Sequence, residues 1–175
     1  MKLKHLVLVL LITPYFTFGQ IQKEWLGHYS GDLTIVGWNG QTSSFHMEVI
    51  FIQETDSSYQ WTLVYGEDST RQERNYTLKR TSRGEYEIDE NNGIVLSNNL
   101  FGNKFISVFK VQTYFLHTTY AFEKNQLIFS LTSSTAEYQT GDDPEADIPE
   151  EEKFTVYALH TTVYQYASLK KIKKK

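Results

Sequence analysis

One short segment carries the side chains of a hydrolytic triad. His28, Ser30 and Asp32 alternate along a single run of the chain, and these are the groups that activate a nucleophile for acyl transfer. On a β-strand, residues two positions apart are separated by roughly 6.6 Å, too far for a proton relay. The chain also lacks the Gly-x-Ser-x-Gly, phosphate-loop and His-Glu-x-x-His motifs. We therefore predict no catalytic residue and a protein that is not an enzyme.

Four histidines, each within a different extended segment, could gather around a metal ion or a haem: His28, His46, His117 and His160. Side-chain alternation turns the first three outward and leaves His160 as the one interior ligand. A single imidazole makes a poor metal site, so we predict no metal and no cofactor. Haem needs only one axial histidine and stays an alternative.

Two arginines share the inward face of one predicted strand. Arg74 and Arg80 have the register of Tyr76 and Leu78. A buried guanidinium requires a carboxylate, which either a ligand or a protein acid could supply. Alternatively, both arginines reach solvent at the ends of the strand. The candidate ligand-binding residues are Tyr29, Trp61, Arg74, Tyr76 and Tyr86.

The elements that position these residues are strands. No window shows a sustained period of 3.6, whereas apolar and polar residues alternate in short runs bounded by turn residues. This pattern predicts an all-β fold, an antiparallel up-and-down barrel of eight to ten strands, because closing a meander removes its free edges. The predicted strands are Trp25 to Ile35, Phe45 to Gln53, Tyr59 to Tyr65, Arg74 to Arg80, Glu85 to Asp89, Ile94 to Asn98, Phe105 to Val111, Tyr114 to Phe122, Leu127 to Thr132 and Phe154 to Tyr166.

Alternation also predicts which side chains face the interior of the barrel. In the last strand, Phe154, Val156 and Tyr164 compete with Tyr157, Leu159 and Val163 for this face, and alternation does not decide between the two sets. The predicted inward residues of the earlier strands are Trp25, Tyr29, Leu33, Ile35, Phe45, Met47, Val49, Phe51, Tyr59, Trp61, Leu63, Tyr65, Tyr76, Leu78, Tyr86, Ile88, Ile94 and Leu96.

The chain begins with the pattern of a secretory signal peptide, predicted to span residues 1–19. Lys2 and Lys4 precede an apolar run, Leu6 to Ile12, and Gly19 ends a small-residue cleavage site. The apolar run is too short to span a bilayer, so we predict no transmembrane anchor. With no cysteine in the chain, neither a disulfide nor a lipid-modified cysteine is available. We expect a soluble secreted or periplasmic protein.

The remaining chain divides into a barrel domain, residues 20–169, and a basic tail, residues 170–175. Within the barrel domain, residues 135–152 form a predicted acidic loop, since seven of the eleven residues from Asp142 to Glu152 are acidic. Seven of the 17 basic residues lie in the leader or the tail, whereas all 21 acidic residues lie in the domain. Such a strongly acidic body repels nucleic acid, and the identity of a protein partner stays open.

The first predicted strand, Trp25-Leu26-Gly27-His28-Tyr29, opens a meander of this length in an exported chain. These features resemble those of the lipocalin-like, or calycin, β-barrels, and the chain resembles a small exported bacterial form of that family. The resemblance implies a barrel that binds a small, largely apolar molecule in its interior, although some relatives bind haem or act as enzymes. It also implies that Lys170 takes the place of the basic residue that packs on the first-strand tryptophan.

Two functions follow from these patterns. The first is binding of a small, largely apolar ligand inside the barrel. The alternative is a solid barrel that acts through its surface as a non-enzymatic envelope or protein-interaction module. The interior volume separates the two, because the many aromatic side chains could fill a barrel of this size.

The leader generates a first prediction. Expression in a host with a secretory pathway should release a mature protein that begins at Gln20, because the signal peptide is cut after Gly19. The intact mass of the secreted form measures this directly. A mature protein that still contains Leu6 to Ile12 would contradict the prediction.

Overall fold

The computed structural model describes the backbone of residues 19–140 and 155–172, and the side chains of residues 19–136 and 158–172. Over this part of the chain the protein is all-β as predicted, and its helices are two short 3-10 turns, Lys23–Trp25 and Asp68–Thr70. No helix within the same residues is long and apolar enough to cross a membrane. The strands are β1 (Gly27–Gly37), β2 (Thr42–Gln53), β3 (Ser58–Tyr65), β4 (Gln72–Arg80), β5 (Tyr86–Asp89), β6 (Val95–Ser97), β7 (Asn99–Phe101), β8 (Lys104–Val111), β9 (Tyr114–Glu123), β10 (Gln126–Thr140) and β11 (Thr155–Lys171).

The strands form one antiparallel sheet that curls into a nearly closed barrel. Their order is β6-β5-β4-β3-β2-β1-β11-β10-β9-β8-β7, so the first strand of the chain pairs with the last. In that pairing Tyr29 lies opposite Lys171 and Gly37 lies opposite Val163. The sheet has eleven strands, which is more than the eight to ten that alternation predicted.

The additional strand arises where one run of chain changes partner. Because every neighbouring pair is antiparallel, β6 and β7 run in the same direction, and only Asn98 separates them. β6 pairs with β5 and β7 pairs with β8. The backbone N–H of Asn98 donates to the Tyr86 carbonyl at 2.9 Å, and the Ser107 hydroxyl donates to the Ser97 carbonyl. These two bonds join the ends of the sheet in place of a regular ladder.

The end of the barrel around Trp25, called here the closed end, is filled by aromatic side chains. Trp25 stacks on Phe122 with ring centroids 5.1 Å apart, and the Tyr29 hydroxyl donates to the Trp25 carbonyl at 2.7 Å. Phe51 and Trp61 follow, 4.9 Å apart. Burial raises the pKa of Tyr29 to about 12, so its hydroxyl keeps its proton at physiological pH. Most of the predicted inward residues are buried in the barrel: Trp25, Tyr29, Leu33, Met47, Val49, Phe51, Tyr59, Trp61, Leu63, Leu78, Tyr86 and Ile88.

Two residues that were predicted to face inward are largely exposed. Phe45 lies opposite the buried Leu33, yet its side chain is 50% exposed because it reaches the opposite, open end of the barrel. Ile94 is 49% exposed. It precedes β6 in a tight turn, where its carbonyl accepts the Glu90 N–H at 2.9 Å, and turn residues do not follow strand alternation. Trp25 also differs from the prediction, since it lies in a 3-10 turn before β1.

The last two strands differ from their predicted extent. Residues 135–140, expected in the acidic loop, continue β10, and Lys170 and Lys171, expected in the tail, end β11. The rest of the acidic loop, the rest of the tail and the leader up to residue 18 lie outside the described residues.

The interior face of β11 is decided by its buried residues. Ala167 and Leu169 are 2% and 0% exposed, so Val163 shares their inward face and Tyr164 points outward. A register shift opposite Ser133 and Ser134 interrupts the alternation between Val163 and Leu159, which is 50% exposed. The side chains of Phe154, Val156 and Tyr157 lie outside the described residues.

Lys171, rather than Lys170, packs against the start of the chain. Its ammonium group donates to the Glu24 carbonyl at 2.6 Å and lies 5.7 Å from the centre of the Tyr29 ring. Gly27 leaves room for this side chain, since a β-carbon there would lie 2.4 Å from Lys171 Cε. The contact ties the last strand to the 3-10 turn that carries Trp25.

The closed end generates a second prediction. Trp25→Ala should lower the free energy of unfolding by about 3–5 kcal/mol, because it removes a large buried aromatic ring and leaves a cavity. Denaturant titration measures the change. The matched control is Trp38→Ala, since the Trp38 side chain is 75% exposed and its loss should change stability little. Equal unfolding midpoints for the two variants would contradict the assignment of Trp25 to the core.

Candidate functional site

The open half of the barrel contains a cavity of about 250 Å³. Tyr120 and Phe129 lie at its boundary with the aromatic core, with ring centroids 4.9 Å apart. The cavity is lined by Leu63, Tyr65, Arg74, Tyr76, Ile88, Glu90, Leu96, Ser107, Phe109, Val111, Leu116, Thr118, Tyr120, Phe129 and Leu131.

The cavity also borders an opening in the side of the barrel. β4 pairs with β3 from Gln72 to Lys79, but it pairs with β5 only from Thr77 to Arg80. β5 ends at Asp89, so the first half of β4 continues beyond it without a ladder on that side, and the Asn91 amide of the next turn donates to the Asn75 carbonyl at 2.9 Å. A cleft of about 410 Å³ lies there, and it shares Arg74, Tyr76 and Glu90 with the interior cavity.

Arg74 is the cation of this site. Its guanidinium lies 5.6 Å from the centre of the Tyr65 ring, and among the described residues no carboxylate forms an ion pair with it within 4.0 Å. Hydrogen bonding with Tyr76 raises the pKa of Arg74, as do the nearby Tyr65 and Glu90, and these effects outweigh desolvation. Tyr65 and Tyr76 therefore position the guanidinium, and its charge can still pair with an anion of a ligand.

The tyrosines of the cavity supply neutral hydrogen-bonding groups. Burial raises the pKa of Tyr65 to about 12, and burial raises the pKa of Tyr120 well above its usual value. Both phenols therefore keep their protons at physiological pH. Beside Arg74, they can donate to an oxygen of a bound molecule but cannot act as bases.

The structure brings together only two of the five predicted ligand-binding residues. Arg74 and Tyr76 line the cavity. Tyr29, Trp61 and Tyr86 are 1%, 0% and 2% exposed and do not line it, because they pack in the closed half. Arg80, on the same face as Arg74, is half-buried and does not reach the cavity either. Alternation gives the face of a strand but not the height of a residue along the barrel axis.

Sequence reasoning missed five polar residues of the cavity: Tyr65, Glu90, Ser107, Thr118 and Tyr120. Tyr65 was predicted to face inward, but not to contact a ligand. Tyr120 begins the short apolar run Tyr120-Ala121-Phe122, which gave no reason to separate it from the core. Glu90 directly follows β5, and its position beside a loop predicted only a tight turn.

The hydroxyl and imidazole groups of the apparent triad lie on the outer face of β1 and β2. Ser30 Oγ lies 3.2 Å from Nε2 of His46, which belongs to the neighbouring strand. Glu48 accepts from both imidazoles, at 3.1 Å from His28 and 3.2 Å from His46. Asp32 is exposed, as predicted for this face. None of these residues lines the interior cavity, so the cluster links two strands.

The histidines do not gather around the cavity. His117 is exposed, and His160 is exposed against Trp38, with ring centroids 6.4 Å apart. His160 is not among the residues that line the interior cavity. Within the part of the chain that the structure describes, no group of three or more His, Cys, Asp or Glu side chains is placed to hold a metal ion.

A larger groove of about 880 Å³ lies at the closed end, against β1 and β2. Its one cation, Lys171, is already bonded to the Glu24 carbonyl. The interior cavity is the stronger candidate site, because a cation, an anion and neutral phenols converge on an apolar space there.

Comparison with known proteins adds no family name. A scan against protein-family models and a search of curated proteins found no match to this chain. The barrel itself is an architecture that several families of proteins share. Membership of the lipocalin-like group therefore stays a proposal.

The outer-face cluster generates a third prediction. Burial of Glu48 favours its protonated form, but the hydrogen bonds from His46 and His28 and their charge outweigh burial and lower its pKa. A carboxylate with a lowered pKa stabilises the fold above its unfolded-state pKa, and this stability is lost as the pH falls through the folded-state value. Glu48→Gln should cost about 1 kcal/mol at pH 7 and flatten the loss of stability below pH ~4.5.

Thermal unfolding between pH 3 and 7 measures this effect. Glu87→Gln is the control, since Glu87 is exposed and forms no ion pair with the described residues. An acid dependence in Glu48→Gln as steep as in the unmodified protein would show that the cluster contributes no pH-dependent stability.

Proposed function

We propose that this protein binds a small, largely apolar molecule in the open half of its barrel. The observation that carries the proposal is the cavity of about 250 Å³, whose wall is mainly leucine, isoleucine, valine and phenylalanine. Apolar concave sites with a few converging polar groups are typical of small-molecule binding. The aromatic core next to the cavity supports this function, because Tyr120 and Phe129 close one end of the cavity with packed side chains.

A binding role rather than an enzymatic one is supported by the groups in the cavity wall. Its hydroxyl groups belong to Ser107, Thr118 and three tyrosines, and no histidine lies among the lining residues to activate them. The one carboxylate is Glu90. We extend the proposal to a lipocalin-like protein that is exported after cleavage of its leader. The sequence of residues 1–19 supports the export, but not the lipocalin-like class.

A role through the outer surface is the second candidate. Aromatic residues stand exposed near the open end, with Trp38 at 75% and the stacked pair Tyr164 and Tyr166 at 45% each. Exposed aromatic groups of this kind are common in interaction surfaces. The interior cavity favours binding inside the barrel over this second candidate, because a barrel that acts only through its surface needs no cavity.

The fourth prediction tests interior binding with the neutral fluorescent probe N-phenyl-1-naphthylamine. The protein should bind it with saturable enhancement of fluorescence. Leu116→Trp places a larger side chain in the cavity wall and should weaken binding by about tenfold or more, equivalent to about 1.4 kcal/mol. Leu131→Phe is a smaller change of the same kind, should Leu116→Trp lose its cooperative thermal transition.

The matched control is Val108→Trp on the neighbouring strand. The Val108 side chain is 68% exposed on the outer face of β8, so the added indole should leave binding unchanged. Non-saturable binding, or equal affinities in the unmodified protein, Leu116→Trp and Leu131→Phe, would overturn the proposed function.

A further inference from the structure

Two opposite charges flank the side opening of the barrel. Arg74 lies on the part of β4 that extends beyond the end of β5, and Glu90 follows the last residue of β5. Both side chains line the interior cavity, and both line the cleft outside it. A molecule that occupies the cavity and reaches the opening would therefore meet both groups.

The two charges do not neutralise each other directly. No ion pair within 4.0 Å joins them, and neither has another ionic partner among the described residues. Glu90 accepts one hydrogen bond, from the Asn92 amide at 3.2 Å to Oε2. Glu90 is half-buried. Arg74 is exposed. A half-buried carboxylate without an ionic partner is costly, so a ligand that brings a cation to Glu90 and an anion to Arg74 would be favoured.

Their separation is short enough for each charge to act on the other. Tyr76 is the main cause of the raised pKa of Arg74, and the attraction of Glu90 contributes to it. A ligand group that binds one of these side chains therefore also lies in the field of the other. An isolated anion at Arg74 would be repelled by Glu90, and an isolated cation at Glu90 would be repelled by Arg74.

We propose that the ligand is a free amino acid with a large apolar side chain, or a close analogue. Its carboxylate would bind the Arg74 guanidinium and its ammonium group would bind Glu90, while its side chain would enter the cavity. This inference rests on the proposed function, since it identifies the ligand class of the same site. A guanidinium suits a carboxylate because it can donate two parallel hydrogen bonds.

The surrounding groups fit this zwitterion. The neutral phenol of Tyr65 lies beside Arg74, where it can donate to a carboxylate oxygen. The interior beyond is apolar, with Leu96, Phe109 and Leu116 in its wall. The volume of about 250 Å³ is below the range of about 300–1,000 Å³ typical of sites for drug-sized molecules. It suits one large side chain better than a long lipid chain.

The experiment compares four ligands that share one phenyl ring. Calorimetric titration at pH 7.4 would use L-phenylalanine, 3-phenylpropanoate, which lacks the ammonium group, 2-phenylethylamine, which lacks the carboxylate, and the neutral 2-phenylethanol. L-Phenylalanine should bind about tenfold more tightly than each of the other three, because it alone satisfies both charges.

Two variants assign each charge to its group on the ligand. Arg74→Met should weaken L-phenylalanine binding by about tenfold and strengthen binding of 2-phenylethylamine, because a repelling cation is removed. Glu90→Gln should also weaken L-phenylalanine but strengthen 3-phenylpropanoate. The controls Arg83→Met and Glu87→Gln remove exposed charges outside the cavity wall and should change none of these affinities.

The outcomes separate this inference from the proposed function. If N-phenyl-1-naphthylamine binds in the cavity but 3-phenylpropanoate or 2-phenylethylamine binds as tightly as L-phenylalanine, the zwitterion inference fails and the proposed function stands. Binding of the neutral probe without any L-phenylalanine binding has the same meaning. If neither the neutral probe nor L-phenylalanine binds, the proposed function fails and the inference falls with it.

Discussion

The pairing of the first strand with the last is the interaction on which the rest of the structure depends. From Tyr29 opposite Lys171 to Gly37 opposite Val163, this ladder turns a meander into a ring. A ring has one interior, which side chains either fill or leave empty. Lys171 reinforces the junction through the Glu24 carbonyl, and so holds Trp25 over the closed end. Without this pairing there would be two exposed edges and no enclosed space.

On the opposite side of the barrel, the two ends of the sheet, β6 and β7, meet without a regular ladder. The segment of residues 95–101 bends at Asn98 and divides its pairing between β5 and β8. Asn98 is 1% exposed, and its side-chain amide has no partner among the described residues. β5 pairs with β4 along its whole length, from Asp89 opposite Thr77 to Tyr86 opposite Arg80. Beyond the end of β5, β4 continues alone, and the cleft with Arg74 and Glu90 lies there.

Packed side chains and the cavity occupy different positions along the barrel axis. Large rings that pack edge to face, such as Trp61 against Phe105 at 5.7 Å, fill the interior of the closed half. Near the open end four leucines line the interior, and some ladders end before the strands do, as between β4 and β5. The aromatic core and the proposed binding site therefore lie in different halves of one interior. Polar groups can be desolvated in the open half because the packed half supplies the free energy of folding.

The sequence by itself determined the fold class, the faces of most strands and the presence of Arg74 and Tyr76 on an interior face. These properties depend on alternation and turn residues, which are local. The tertiary structure alone decided that Tyr29, Trp61 and Tyr86 are core residues, that Tyr65, Tyr120 and Glu90 join the cavity, and that one strand divides at Asn98. The height of a residue along the barrel axis depends on register and shear between strands, and no single strand records them.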